Sequence, residues 1–243
     1  MSATFVDSLL IGKVQWHYGK MMQGISIYDM DKTITGKATF GPFLAYAVPR
    51  YRPWRLILLP VLVIMILGYA LKIVNRAQLK EINLRLLLGA VIDSAALKKL
   101  SSEFAVQTLK TNLLQGALAR IEADRAEGRN IILATASYDF YVVEIARLLG
   151  IDDVIATKAT RRGSFTVPTI DGENCYGAAK LAMVEAWVVR NKIKRSETHI
   201  RFYSDHVSDA PCLIWADEAF ATTPHAPLRT LARERGWTVF DWA

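Results

Sequence analysis

A short strand-like run that ends in two closely spaced aspartates constrains this chain more than any other stretch. Ile25–Tyr28 favours β structure, and Asp29 and Asp31 follow it. Residues i and i+2 of an extended segment share a face, so both carboxylates can point into one small space. Two like charges held close are unfavourable unless a cation or a proton lies between them. Open α/β sheets bind ligands beyond the carboxyl ends of their strands, so the pair predicts a site there, although solvated turns also favour aspartate.

Three later segments also carry polar residues that follow strand-like or glycine-containing runs. With the first segment they form an ordered set: residues 25–33 (ISIYDMDKT), 131–137 (IILATAS), 174–180 (NCYGAAK) and 202–209 (FYSDHVSD). In order and in residue type, the set resembles the four signatures of the haloacid dehalogenase (HAD) superfamily of phosphatases. The resemblance is greatest to subfamily IB, the branch of the phosphoserine phosphatases and the phosphatidylglycerophosphatase C type.

The resemblance implies a role for each aspartate of the first signature. Phosphoryl transfer needs a nucleophile, a proton donor for the leaving oxygen and positive charge around the phosphoryl oxygens. We expect Asp29 to be the nucleophile, forming an aspartyl-phosphate intermediate. We expect Asp31 to protonate the leaving alcohol and then to activate water as a base.

The resemblance also implies a magnesium cofactor and a phosphate-binding set. Mg²⁺ prefers octahedral oxygen ligands and usually keeps several waters. The expected metal ligands are Asp29, Asp31 through its backbone carbonyl, Asp205 and Asp209. The expected phosphate-binding residues are Thr135, Ala136 and Lys180, and Lys180 is also expected to be catalytic. Taken singly, the threonine is typical of any strand and the lysine of any solvated helix, so the prediction depends on the whole set.

The pattern outside the middle of the chain predicts an α/β fold. Strand-like and helix-like runs alternate there, which favours a Rossmann-like, mostly parallel sheet with helices on both faces. Residues 40–127 instead read as helical, with an apolar stripe at Leu84, Leu87, Leu88 and Val91. We therefore expect a HAD-type catalytic core of residues 1–39 and 128–243 with an inserted α-helical cap at 40–127, and the resemblance implies the same arrangement.

Residues 56–71 carry no charged side chain, which is the most unusual compositional feature of the chain. As a helix this run would extend about 24 Å, and about 28 Å if continued to residue 74, against a hydrocarbon core of ~30 Å. A single crossing would also separate Asp29 from Thr135, so a helical hairpin is favoured over a span. The alternatives are a helix buried in the cap, a helix inserted into one leaflet, and a span.

Basic residues flank this apolar segment on both sides. They are Arg50, Arg52, Arg55, Lys72, Arg76 and Lys80. Anionic lipid surfaces attract such residues by about 1 kcal/mol per charge. We therefore predict that the cap docks on an anionic membrane surface and brings Asp29 to a lipid phosphate. The phosphatidylglycerophosphatase C type has a similarly apolar cap segment, so the resemblance implies the same; alternatively, the helix fills the core of the cap.

The composition limits the classes of binding partner and the cellular location that we expect for this chain. The net charge is +7, which is compatible with nucleic acid, anionic lipid or phosphorylated substrates as partners. No dense run of Lys and Arg with interleaved aromatics supports nucleic acid, and no obligate protein partner is inferred. Two cysteines imply no disulfide framework, and residues 1–20 lack the apolar run of a signal peptide. The predicted location is cytoplasmic, peripheral on the cytoplasmic face of the membrane.

The sequence thus predicts a Mg²⁺-dependent phosphomonoester hydrolase acting through an aspartyl-phosphate, on a membrane lipid phosphate. The alternatives are a small-molecule phosphatase of the phosphoserine phosphatase type and a catalytically silent, membrane-associated binding protein. The cap lacks a clear Glu and Arg pair for a free amino acid, which argues against phosphoserine. Lys32, Ser204 and His206 also depart from the residues common in relatives.

Overall fold

The computed structural model describes residues 24–242, which fold around one eight-stranded sheet. The strands are β1 (Ile25–Tyr28), β2 (Ile92–Asp93), β3 (Asn130–Tyr138), β4 (Asp153–Arg162), β5 (Phe165–Asp171), β6 (Ile200–Ser204), β7 (Glu218–Thr222) and β8 (Thr238–Phe240). Their order across the sheet is β2-β5-β4-β3-β1-β6-β7-β8. Neighbours from β4 to β8 are parallel, whereas β5 runs antiparallel to β4 and to β2. Residues 1–23, on which the signal-peptide prediction depends, lie outside the described range.

Helices cover both faces of this sheet. They are α1 (Phe40–Tyr51), α2 (Leu59–Ala70), α3 (Arg76–Leu88), α4 (Ser94–Asn112), α5 (Gln115–Ala126), α6 (Asp139–Leu148), α7 (Ala178–Arg190), α8 (Ala210–Trp215) and α9 (Ala226–Arg235). The apolar residues of α1, α3, α4 and α6 pack in one core on one face, and those of α7, α8 and α9 pack in a second core on the other. The prediction of a mostly parallel α/β sheet with helices on both faces is confirmed.

Strand β1 lies in the middle of the sheet, and this position explains its composition. All four of its residues are buried. Ile27 pairs with Ile132 of β3 on one side and with Phe202 of β6 on the other. A parallel strand buried on both faces favours apolar residues, and the two hydroxyl groups of β1 are paired: Ser26 accepts from Arg129 Nε at 2.7 Å, and Tyr28 donates to Asp124 Oδ2 at 2.8 Å. The chain therefore leaves the carboxyl edge of the sheet at Asp29, flanked by the ends of β3 and β6.

The predicted cap is linked to the core sheet at the β4–β5 hairpin. Strand β2 pairs antiparallel with β5, and the Ser94 amide continues this pairing by donating to the Ser164 carbonyl at 2.9 Å. Glu81 of α3 accepts a hydrogen bond from the Ile170 amide of β5 at 2.6 Å. At the other end of the insert, α5 packs on β3. The division into a core of 1–39 and 128–243 and a cap of 40–127 stays a prediction.

The apolar segment is exposed in this chain. A 3-10 helix, Pro53–Leu58, continues directly into α2, and none of the residues from Pro53 to Ala70 is buried. Ile57 and Ile64 are 77% and 59% exposed. The alternative in which this helix fills the core of the cap is therefore wrong. Its 18 residues, with a mean hydropathy of 1.9, are long and apolar enough to cross a membrane, which by itself is weak evidence for a span.

Helix α3 returns from the apolar segment to the sheet. Asn75 caps its first turn, because its side chain accepts from the Gln78 amide while the Gln78 side chain accepts from the Asn75 amide. At the other end, Gly89 has φ +108°, a backbone conformation that a residue with a Cβ rarely adopts. Between these ends, α3 turns a buried face toward the carboxyl edge of the sheet, and that face includes Lys80.

Candidate active site

A buried lysine joins two of the predicted aspartates at the carboxyl edge of the sheet. Asp29 follows β1, and its amide donates to the Tyr203 carbonyl at 2.9 Å. Lys180 lies in the first turn of α7, and its Nζ donates to Asp29 Oδ1 at 2.9 Å and to Asp209 Oδ2 at 2.7 Å. All three side chains are almost fully buried. The structure thus brings together residues that are 151 and 29 positions apart in the sequence.

The electrostatics of this trio follow from its burial. Burial alone would lower the pKa of Lys180, but Asp209 and Asp29 together raise it well above its ordinary value. Burial raises the pKa of Asp29 to about 8, against the opposing effect of Lys180. Burial likewise raises the pKa of Asp205, the next aspartate along this edge, to about 6. The carboxylates therefore outnumber the positive charge that this part of the site supplies.

Asp31 is oriented through both of its oxygens. Its Oδ1 accepts from the Thr39 amide at 2.9 Å and from the Thr39 hydroxyl at 2.7 Å. Its Oδ2 accepts from the Ser137 hydroxyl at 2.9 Å. Tyr141 lies behind Thr39, with 3.2 Å between the two hydroxyl oxygens. Sequence reasoning missed Thr39 and Tyr141 and gave Ser137 no role, since no spacing rule links residues so far apart.

The predicted phosphate-binding residues Thr135 and Ala136 lie in the second half of β3, where its regular pairing with β4 ends. The register between β3 and β4 shifts between Thr135 and Tyr138, which turns the intervening residues out of the regular ladder. The Thr135 hydroxyl accepts from the Ser137 amide at 3.2 Å, so its own proton remains available to an oxygen ligand. The Ala136 carbonyl accepts from Thr157 Oγ1 at 2.8 Å. The phosphate-binding roles of Thr135 and Ala136 stay predictions.

Asp205 and Asp209 follow β6 and differ in their hydrogen-bond partners. The Asp205 amide donates to Thr33 Oγ1 at 3.1 Å, which ties the two signature loops together. The Ser204 hydroxyl donates to Asp209 Oδ2 at 2.7 Å, so the serine that replaces the usual glycine supports this aspartate. The other oxygen, Asp209 Oδ1, is buried and has no hydrogen-bond partner. Buried polar atoms are nearly always paired, so this oxygen points to a missing donor or cation.

The donor set fits a magnesium ion. Among residues 24–242, no three His, Cys, Asp or Glu side chains converge closely enough to hold a metal by themselves. Mg²⁺ does not require such a cage, since it is usually held by one or two carboxylates and keeps several waters. The excess of carboxylates and the unpartnered Asp209 Oδ1 both favour a cation here. The predicted ligands Asp29, Asp31, Asp205 and Asp209 are suitable on these grounds, and their assignment stays a prediction.

Lys80 is a site residue that sequence reasoning misplaced. The sequence pattern groups it with the basic residues that flank the apolar segment and face lipid. In the structure it is 7% exposed, and its Nζ donates to the Ala136 carbonyl at 2.5 Å and to Asn174 Oδ1 at 2.8 Å. Burial, followed by the charge of Arg76, lowers the pKa of Lys80 to about 7. Its position on the buried face of α3 was the one signal that could have placed it.

Basic and aromatic side chains cluster beside Asp205, whose carbonyl oxygen lies 2.9 Å from His225 Nδ1. The Arg76 guanidinium lies 4.5 Å from the centre of the Tyr176 ring. The His206 ring stacks on His225 at 4.1 Å and lies 6.5 Å from Tyr176. Burial, together with the charges of His225, Arg76 and Lys32, outweighs Asp209 and lowers the pKa of His206. Arg76 and Lys32 therefore supply positive charge near His206, which suits an anionic substrate.

Carboxylates, hydroxyls and a lysine thus gather where the central parallel strands end, an arrangement that suits a hydrolase. The chain belongs to the haloacid dehalogenase-like hydrolase family, whose sequence pattern matches residues 27–213. This confirms the predicted family and the prediction of an enzyme.

Individual relatives agree with this assignment. The chain is 29% identical over 150 residues to Phosphoserine phosphatase SerB1 of Mycobacterium tuberculosis, covering 61% of this chain and 47% of that protein. A crystal structure of a protein of unknown function from Bordetella pertussis matches with a TM-score of 0.81 at 23% identity, over 92% of this chain and 100% of that one. A phosphoserine phosphatase described as a phospho-aspartyl intermediate analogue matches with a TM-score of 0.55 at 15% identity, over 92% and 95%.

These likenesses differ in what they establish. The two structural matches show that the fold is shared. The chain spans about half the length of the first curated relatives that it matches, at 47% of each. The chain is thus a member of the haloacid dehalogenase-like hydrolase family that is similar in sequence to a phosphoserine phosphatase.

Proposed function

We propose that this protein is a Mg²⁺-dependent phosphomonoester hydrolase that acts through an aspartyl-phosphate, on phosphate esters at an anionic membrane surface. The observation that carries the catalytic part is the contact of Lys180 with both Asp29 and Asp209, at 2.9 Å and 2.7 Å. A buried cation at that point holds the Asp29 carboxylate in place and attracts the phosphoryl oxygens. No binding or scaffold role requires this arrangement.

In the first step, a carboxylate oxygen of Asp29 forms a bond to phosphorus, and the bond from phosphorus to the ester oxygen breaks. Asp31 donates its proton to the departing alcohol oxygen, and its hydrogen bonds from Thr39 and Ser137 fix the direction of that transfer. In the second step, Asp31 takes a proton from water, the water oxygen bonds to phosphorus, and the acyl-phosphate bond breaks. Inorganic phosphate leaves, and the Asp29 carboxylate is restored.

The other residues of the site supply binding and charge. Thr135 would donate its hydroxyl proton to a phosphoryl oxygen, and the Ala136 amide would donate beside it. When bound by Asp29, Asp205, the Asp31 carbonyl and Asp209, Mg²⁺ supplies positive charge that keeps the nucleophile ionised and offsets the phosphoryl oxygens. The raised pKa of Asp29, about 8, is consistent with a carboxylate that needs such a cation.

The membrane part of the proposal is supported by the exposed apolar segment. Its large apolar side chains face solvent along Pro53–Leu58 and α2, and they include Trp54 and Leu67 at 63% and 57% exposure. A contiguous apolar surface of this kind favours a lipid or protein contact over solvent. Arg50 and Arg52, together with Lys72 and Arg76, flank this surface and suit an anionic leaflet. A protein seated in this way would be peripheral on the cytoplasmic face and would meet lipid phosphates.

A second candidate is hydrolysis of a small soluble phosphate ester of the phosphoserine type. It is favoured by the relative named phosphoserine phosphatase and by the fold shared with such enzymes. The two candidates use the same catalytic residues and differ in the leaving group.

The test is a phosphatase screen of the full chain with Mg²⁺ and with EDTA. Soluble phosphomonoesters are compared with lysophosphatidate, phosphatidate and phosphatidylglycerophosphate in mixed micelles. We expect Mg²⁺-dependent release of phosphate, highest on a lipid substrate, and its loss in Asp29→Asn. An Asp29→Asn protein that keeps more than about a tenth of the wild-type rate, a loss of only ~1.4 kcal/mol, would contradict the nucleophile assignment. Preference for soluble esters would contradict the lipid assignment while leaving the phosphatase intact.

A further inference from the structure

Lys80 is a buried cation without a carboxylate partner among the described residues. Its two acceptors are a backbone carbonyl and an amide oxygen, and the third group near it is the Tyr138 ring, 4.5 Å from Nζ. Lys180, which is buried to a similar degree, instead contacts two carboxylates. Burying an uncompensated charge is unfavourable, and in proteins such charges are normally paired.

The local structure does not depend on Lys80 to satisfy its two acceptors. The Thr157 hydroxyl oxygen lies 2.8 Å from the Ala136 carbonyl oxygen and 3.0 Å from Asn174 Oδ1. Either acceptor can therefore be paired when the lysine is absent. Lys80 is therefore not needed for local hydrogen bonding, and it has no carboxylate counter-ion among the described residues. Such a lysine is suited to bind a ligand that carries a negative charge.

The position of Lys80 indicates which part of a substrate it meets. Ala136, whose carbonyl it contacts, is bonded in the chain to Ser137, and the Ser137 hydroxyl donates to Asp31 at 2.9 Å. Asp31 is the residue expected to protonate the leaving oxygen, whereas the Asp29 side of the site already has Lys180. Lys80 therefore lies on the side of the site where the alcohol departs.

We propose that Lys80 binds an anionic group carried by the leaving alcohol, and so selects substrates in which that alcohol is itself negatively charged. This inference rests on the proposed phosphatase function and extends it to the leaving group. Arg76, one turn earlier on α3 and against Tyr176, adds a second positive charge near Lys80. The chemistry fits a phosphodiester in a lipid headgroup or a carboxylate in a soluble phosphate ester.

The experiment compares two pairs of substrates that differ in the charge of the leaving group. Glycerol 3-phosphate and 3-phosphoglycerate are the soluble pair, and phosphatidate and phosphatidylglycerophosphate in mixed micelles are the lipid pair. We expect the wild-type protein to favour the anionic leaving group within at least one pair, and the pair concerned identifies the source. In Lys80→Met, kcat/KM for that substrate should fall at least about tenfold more than for its neutral counterpart.

Two further variants separate recognition from structure. Lys80→Arg should restore part of the preference, because it returns the positive charge. Arg85→Gln removes one charge from the exposed face of the same helix and should leave the preference within each pair unchanged. Equal losses on both members of a pair in Lys80→Met, with an unchanged melting temperature, would overturn the inference. Lack of turnover by the wild-type protein on every substrate would instead contradict the proposed function.

Discussion

Two buried lysines of this site have opposite electrostatic surroundings. Lys180 contacts two carboxylates, which raise its pKa, whereas burial without such a partner lowers the pKa of Lys80. The first lysine is therefore held charged by the protein itself. The second becomes fully charged near neutral pH only when an anion approaches it, so the two should respond differently to substitution and to pH.

At the residue scale, we expect the stability of the wild-type protein relative to Lys80→Met to rise with pH between about 7 and about 10. Burial lowers the pKa of Lys80 from 10.5 to about 7. In that range the unfolded chain binds a proton that the folded protein has released, and stability then rises with pH. The same contribution is lost as pH falls through about 7. The other charged side chains near Lys80, which are Arg76, Asp31 and Glu81, are present in both proteins, as is the Cys175 thiol, whose pKa burial raises to about 12.

Urea unfolding of both proteins at about pH 7 and about pH 9.5 provides the measurement. The difference in unfolding free energy between the wild-type protein and Lys80→Met is compared at the two pH values. Taking this difference cancels the titration of groups that both proteins contain. A difference in the free energy of unfolding that does not change with pH would contradict the lowered pKa.

Substitution of Lys180 tests the other lysine. In Lys180→Met, the rate of aspartyl-phosphate formation in a single turnover should fall at least about tenfold, or ~1.4 kcal/mol, since the charge beside the nucleophile is lost. Lys158→Met, which removes an exposed lysine from β4, is the matched control. A normal single-turnover rate in Lys180→Met would mean that the contact with Asp29 is structural.

At the element scale, substitution can test the proposed contact of the exposed apolar segment with a membrane. Ile64 and Leu67 are 59% and 57% exposed on α2. We expect the double variant Ile64→Glu and Leu67→Glu to lose co-sedimentation with anionic vesicles, because charged side chains oppose entry into the acyl region. Val189→Glu is the matched control, as it adds a carboxylate at an apolar side chain on α7 that is 76% exposed. Turnover of a soluble phosphomonoester reports on the integrity of the core.

Wild-type protein that remains in the supernatant with anionic vesicles at low salt would contradict membrane docking. Equal vesicle binding by the double variant and the wild-type protein would show that another surface makes the contact.

Most elements of the core could be predicted from the sequence, and the segment around α2 could not. Buried parallel strands such as β1 and β3 are mostly apolar runs between polar turns. This pattern can be recognised from the local sequence, even when the neighbouring strands are unknown. Residues 56–71 form an equally apolar run, but their environment depends on what covers them. Composition allowed a buried, an interfacial or a spanning helix, and the structure removes only the first.

At the scale of the whole molecule, Mg²⁺ should stabilise the folded protein. The predicted ligands come from the ends of β1 and β6, which the unfolded chain does not hold together, so binding favours the folded state by mass action. At a concentration about 100 times the dissociation constant, the gain is ~2.7 kcal/mol. Thermal unfolding with Mg²⁺ and with EDTA provides the measurement, and Asp205→Asn should require more Mg²⁺ for the same shift. Identical shifts at identical Mg²⁺ concentrations would exclude Asp205 as a ligand.

The sequence could place the predicted catalytic residues at one edge of the sheet because each follows a strand or a glycine turn with a recognisable local pattern. The residues that orient it were not, because their partners come from distant parts of the chain. Thr39 and Ser137 meet at Asp31 although they are 98 positions apart, and Lys80 reaches Asn174 across 94 positions. Local patterns hold no information on such pairs, which only the packing of the insert on the sheet brings together.

The pairing of β2 with β5 places a strand of the insert inside the sheet of the core. Ile92 and Asp93 occupy the outer edge of β5, and the Ser94 and Thr166 hydroxyl oxygens lie 3.0 Å apart beside them. An insert exchanged with that of a relative would have to bring a strand of matching register, or β5 would become an open edge prone to association. The modules of this enzyme are therefore not interchangeable parts, and a chimera should take β2 and β5 from the same parent.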